Sequence, residues 1–139
     1  MSSTPYTNSI RTNYATVFYN DSSFIKTILD NDSEMELEDI IAQRELYAKI
    51  TLGKRHVILV IAGARTSATK EAREYAANNP VLGRLAEAVI IKSMSVRILG
   101  NVYINFNKPK VPTKLFKTEE EAEEWLRDIL NQNSEQQMA

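Results

Sequence analysis

The chain has 139 residues, which suits one domain and leaves no room for a second, and its 43% apolar and 25% charged content is that of an ordinary globular fold. Seventeen Lys and Arg against eighteen Asp and Glu give a net charge of −1, so no global basic field recruits nucleic acid. The absence of cysteine excludes disulfides, thiolate-held zinc, iron–sulfur clusters and thiol catalysis.

The opening residues, MSSTPYTNSIRTN, carry neither a basic nor an apolar segment of the signal-peptide kind. The longest apolar runs, such as Val57 to Ala62, fall far short of the ~18 residues of a spanning helix. The expectation is a cytoplasmic protein with no membrane span: a single domain over residues 13–130, with flexible termini at 1–12 and 131–139.

From Asn13 the pattern is β-rich, with Tyr14, Thr16 and Phe18 alternating with Ala15, Val17 and Tyr19. Asn20, Asp21 and Ser22 mark a turn, and Phe24 to Leu29 returns as the second arm of a hairpin. Ser33 followed by Glu36 has capping-box spacing and predicts a helix start, with Leu37, Ile40, Ile41, Tyr47 and Ala48 on one face and Gly53 as the stop. His56 to Ala62 is apolar without alternation, which predicts a strand covered on both faces at the centre of a sheet. After the loop at Gly63, Ser67 or Thr69 caps a helix that Asn78-Asn79-Pro80 ends. Val81 to Glu87 reads as a short helical turn, Ala88 to Lys92 as a strand, and Ser93 to Phe106 as a helix stopped by Asn107-Lys108-Pro109. Pro112 to Phe116 reads as an edge strand. Thr118 and Glu121 repeat the capping-box spacing, and Ala122, Trp125, Leu126, Ile129 and Leu130 then face the core, with Trp125 expected to be largely buried. Strands alternating with helices after an opening hairpin give an α/β fold with a mixed sheet of four or five strands.

Catalytic templates find little here. The single histidine, His56, permits no two-histidine metal site, and no G-x-S-x-G elbow accompanies it; it is expected to be an ordinary, partly exposed strand residue. Gly63 precedes a helix but has no second glycine or Walker lysine beside it, so a nucleotide loop is not supported. Catalytic residues, metal and cofactor are therefore all expected to be none. Charge is uneven: Lys92 to Lys117 holds six bases and no acid, whereas Asp30 to Glu45 holds seven acids and one Arg. The aromatics of the basic run fall at apolar positions and form no open stacking platform, so no nucleic acid partner is expected. Eight of the thirteen residues from Met94 to Phe106 are apolar, more than one helix face can hold. Met94, Ile98, Val102, Tyr103, Ile104 and Phe106 are accordingly candidates for a dimer interface or for a surface that meets an apolar ligand.

Lys70-Glu-Ala-Arg73, Gly100-Asn101 within an apolar helix, Asn107-Lys108-Pro109, and Pro112-Thr-Lys-Leu-Phe116 before an acidic helix carrying Trp125 together resemble a family of small bacterial proteins related to the STAS superfamily, also described as STAS/SEC14-like. The resemblance runs from about Tyr14 to Leu130. It implies a STAS-like (anti-sigma-factor-antagonist-like) sandwich with helices packed on a mixed sheet, and no established enzymatic activity. In the antagonists, a serine opening the helix after the central strand is phosphorylated and switches protein binding; the matching residues here are Thr66, Ser67 and Thr69, although no glycine follows Ser67. The expected function is a non-enzymatic regulatory or protein-interaction module, a homodimer with a protein partner, and the alternative is a binder of a lipid or other apolar small molecule.

Overall fold

A run of five aliphatic residues after His56 leaves no polar face for solvent, and it lies inside the sheet. The computed structural model describes residues 6–20 and 23–138, with side chains as far as Asn133. In chain order the elements are β1 (Asn8–Arg11), β2 (Ala15–Tyr19), β3 (Phe24–Leu29), β4 (Glu34–Met35), α1 (Leu37–Thr51), β5 (His56–Ile61), β6 (Ser67–Ala68), α2 (Lys70–Asn78), β7 (Arg84–Ile90), α3 (Met94–Val102), a π turn (Tyr103–Asn107), β8 (Thr113–Phe116) and α4 (Glu119–Met138). The main sheet has six strands in the order β1-β2-β3-β5-β7-β8, rather than the four or five expected. The first three form an antiparallel meander, and β3, β5, β7 and β8 are parallel.

Because the parallel strands always step in the same direction, right-handed crossovers put their connecting helices on one face. Tyr47 of α1 meets Ile25 and Ile58 there, while Ala122 and Leu126 of α4 meet Phe24, Val57, Leu59 and Ala88 on the other face. The α/β mixed-sheet class and the central position of His56 to Ile61 agree with the sequence.

Several boundaries differ, each for an identifiable reason. The segment Val81 to Glu87 is not a helical turn: β7 begins at Arg84, and its burial alternates along the strand. Alanines at 86 and 88, good helix formers in isolation, are fully buried where α4 packs closely. The helix read from Ser33 begins at Leu37, because Glu34–Met35 pair in parallel with Ser67–Ala68. Ser33 Oγ donates instead to the carbonyl of Asp30 at 2.8 Å, and the amide of Glu36 donates to Asp39 at 2.9 Å. On α1 the buried residues are Ile40, Gln43, Tyr47 and Thr51, whereas Ala48 is exposed. Gln43 is buried because its amide is spent on Tyr47 and on Tyr14, whose hydroxyl donates to Gln43 Oε1 at 2.5 Å.

Asn8–Arg11, within the stretch expected to be a free end, pairs with β2, and α4 continues past Leu130 to Met138. Residues 1–5 and 139 of the expected termini, and Asp21 and Ser22 of the expected turn, lie outside the described residues. Half of the Thr118 box forms: the Glu121 amide donates to Thr118 Oγ1 at 3.3 Å, and that hydroxyl, in place of the Thr118 amide, donates to the Glu121 carboxylate at 3.0 Å. Trp125 is partly buried, its ring 5.6 Å from that of Phe116, and Ala122 and Leu126 are the fully buried apolar residues of the helix.

Candidate functional site

The face that carries α1, α2 and α3 is not filled. Between it and the sheet lies a cavity of about 170 Å³. Its floor is Leu29 of β3, Val60 of β5, Glu87 and Val89 of β7 and Leu115 of β8; its walls are Ile40, Gln43, Arg44 and Tyr47 of α1 and Ala72, Arg73 and Ala76 of α2. Val96, Leu99, Gly100 and Tyr103 roof it. The roof comes close at one point: a Cβ on Gly100 would stand 2.7 Å from Ile91 Cδ1 and 3.3 Å from Leu115 Cδ1. Beyond that contact α3 buries only Val96 fully. The π turn, closed by the Lys108 amide on the Tyr103 carbonyl at 3.2 Å, follows directly, and Lys108 ends it in the left-handed region.

The candidates on α3 therefore divide between two sides. Met94, Ile98, Val102 and Phe106 are 73%, 60%, 37% and 84% exposed, and form a stripe at i, i+4 spacing along the outside. Tyr103 and Ile104 are half-buried, and Tyr103 lines the cavity. Burial is the main reason its phenol is pushed above its ordinary range, with the negative charge of Glu87 adding to the effect.

Of the three hydroxyl candidates near α2, Thr69 is the N-cap, accepting from the Ala72 amide at 3.2 Å. Thr66 is buried and donates to the Gly63 carbonyl at 3.0 Å. Ser67 is half-buried, held in β6 by its amide on the Ser33 carbonyl at 2.9 Å, and lines the cavity.

His56 departs from the expectation of partial exposure, since it is fully buried. Its Nδ1 lies 2.9 Å from the Lys54 carbonyl, to which it donates, and its Nε2 accepts from Arg84 Nε at 2.9 Å. Burial, with the charge of Arg84 second, pushes its pKa down to about 4. Arg84 is itself buried, with its cation 5.1 Å from the Tyr47 ring centroid and its Nη1 3.2 Å from Glu87 Oε1. Desolvation lowers the Arg84 pKa, and Glu87 is the largest influence opposing that. The chain from His56 through Arg84 thus fixes the Glu87 carboxylate in the wall of the cavity.

The sequence profile described as Domain of unknown function (DUF7793) matches residues 18–130. The chain belongs to the DUF7793 family. No curated protein matches it, and neither does any solved structure. Within this DUF7793 domain the match spans every residue of the cavity wall, from Leu29 to Leu115, and leaves out β1.

Sequence reading missed the charged part of the wall. Arg44 donates through Nε and Nη2 to the carbonyls of Asn79 and Ala76, at 3.2 and 3.0 Å, and Arg73 through Nη1 to that of Ala68 at 2.5 Å. Both lie beside apolar or small residues of a buried helix face, Ile40 and Tyr47 in one case and Ala72 and Ala76 in the other. The alanine spacing of α2 was the available signal, since small residues mark where a helix comes close to its neighbours. Among the described residues no group of three His, Asp or Glu side chains is placed to hold a metal, and no helix is long and apolar enough to cross a membrane.

Proposed function

We propose that this domain is a non-enzymatic, cytoplasmic, STAS-like interaction module of bacterial type, and that α3 is its working element, docking a second copy of the chain. The observation that carries this reading is the outward stripe of Met94, Ile98, Val102 and Phe106. Four large apolar side chains at one-turn spacing make a contiguous patch of the kind that marks interaction sites, and a two-fold pair lets one patch cover its own copy. The buried, fully engaged ring of His56 supports a role without acid–base chemistry, since neither nitrogen is free to reach a substrate. Light scattering at tens of micromolar tests the reading. A dimer is expected for the native chain and a folded monomer for Ile98→Glu; Ile104, half-buried, is a poorer site for the charge. A native monomer overturns it.

A second reading, binding of an apolar small molecule, is favoured by the cavity on the inner side of the same helix. At about 170 Å³ it is far below the volume of an acyl-chain lipid site and suits a ligand of single-ring size.

A further inference from the structure

We propose that the cavity binds a small organic carboxylate of about benzoate size, anchored by Arg73. The inference rests on the reading of the cavity as a ligand site and adds the chemistry of what it holds. Arg73 lines the cavity, and its Nη1 is tied to the Ala68 carbonyl at 2.5 Å. Its Nε is buried with no hydrogen-bond partner. With Nη1 occupied, the Nε–Nη2 edge remains, and this is the edge that offers two parallel N–H groups to one carboxylate. A buried, unpaired N–H of a cation is a costly feature in a finished fold, and a bound carboxylate removes that cost.

The charge around the cavity points the same way. Arg44 and Arg73 contribute two guanidinium groups, and Glu87, the one acidic residue in the wall, is already paired with Arg84, which lies outside the lining, at 3.2 Å. Arg44 spends its donors on neutral carbonyls. The walls thus carry surplus positive charge, which disfavours a cationic ligand and attracts an anionic one. Val60, Val89, Leu99 and Leu115 supply an apolar bed for the ligand body, so a bare inorganic anion gains little there. Engineered apolar cavities of about 150 Å³ admit benzene, which sets the size of the body.

The test is calorimetry on the full chain at neutral pH with four probes: sodium benzoate, sodium hexanoate, benzyl alcohol and inorganic phosphate. Benzoate or hexanoate is expected to bind at least tenfold tighter than benzyl alcohol, and phosphate not at all below about 1 mM. Arg73→Gln is expected to bring benzoate within about threefold of the alcohol. Leu99→Trp, which fills the cavity, is expected to remove both. Equal affinity for benzoate and benzyl alcohol on the native chain overturns the carboxylate anchor while the ligand-site reading stands, and no binding of any organic probe overturns both. Phosphate binding that survives Leu99→Trp also overturns the assignment. Should Arg73→Gln fail to fold, the native comparison still decides, and Arg73→Lys, which keeps the charge and loses the two-donor edge, replaces it.

Discussion

Lowering the pH from 7 to 5 should destabilise this protein through one residue. His56 is fully buried, donates from Nδ1 to the Lys54 carbonyl and accepts at Nε2 from Arg84, an arrangement that only the neutral ring can make. A proton added at Nε2 would face the Arg84 N–H with no acceptor between two cations. The folded pKa is about 4 against 6.5 for the free side chain. Because the folded state holds this proton more weakly, the unfolded state binds more protons throughout the interval between those values, and stability falls as pH falls through it. The contribution is fully present above about 6.5 and spent by about 4, a span worth ~3 kcal/mol, of which ~2 kcal/mol is gone at pH 5. That is a large part of the ~5–15 kcal/mol that holds a domain of this size. Asp30 and Asp32, whose carboxyls are held below their ordinary range by Arg11 and Arg65, lose their contribution only at lower pH and do not confuse the interval. Urea unfolding at pH 7 and pH 5, at constant ionic strength, measures the difference, and the ring resonances of the chain's one histidine titrate without ambiguity. His56→Gln should lose the pH dependence. A native chain that loses less than about 0.5 kcal/mol, or a folded His56 that titrates above about 6, refutes the reasoning.

Two further outcomes follow from the packing. Leu126→Ala should cost ~2–5 kcal/mol because the side chain is fully buried, and Trp125→Ala less, ~2 kcal/mol, because the indole is only partly buried and lies against Phe116 at the rim of the core; chemical denaturation giving the reverse order would contradict the placement of α4. Thr69→Ala should cost ~1 kcal/mol through the lost cap on the Ala72 amide, and Ser67→Ala less than ~0.5 kcal/mol, measured in the same way; a larger loss at Ser67 would mean that its hydroxyl holds α2.

What was legible in the sequence was whatever local pattern determines. The unbroken run after His56 identifies a central strand whatever its neighbours are, and Thr118 caps the Glu121 amide within one turn. The strand β1 was not legible because NSIR has no apolar face: it is an edge that pairs through its backbone with β2. Glu34–Met35 looked like helix because their pairing with Ser67–Ala68 spans a separation that no local pattern encodes. The same holds for the candidate site. The apolar excess on α3 was visible, but its division into an inner and an outer face depends on where β7 and β8 lie beneath it. The environment of His56 is set by Arg84, 28 residues on, and a lone histidine on an apolar strand gives no hint of that partner. Arg73 had no role in the sequence beyond its place in Lys70-Glu-Ala-Arg73, and its position on the cavity follows from where α2 packs beside α1 and the π turn.

The two proposals meet on one nine-residue helix. Its inner side, Val96, Leu99 and Gly100, is the roof over the cavity; its outer side, Met94, Ile98 and Val102, is the exposed stripe proposed for docking. Such a helix cannot serve the two roles independently unless it is rigid. Little holds it: one fully buried side chain, and a glycine that admits it to Ile91 with no room to spare. A ligand that fills the space beneath α3 adds contacts on the one side where they are lacking, and so biases the position of the side chains opposite. The size of that bias is limited to the difference in the ligand's affinity for the two positions of the helix, and the effect is reciprocal: a second copy seated on the stripe must change carboxylate affinity by the same factor as the carboxylate changes association. The apolar excess in Met94 to Phe106, too great for one face, is thus what a roof that is also a docking surface requires.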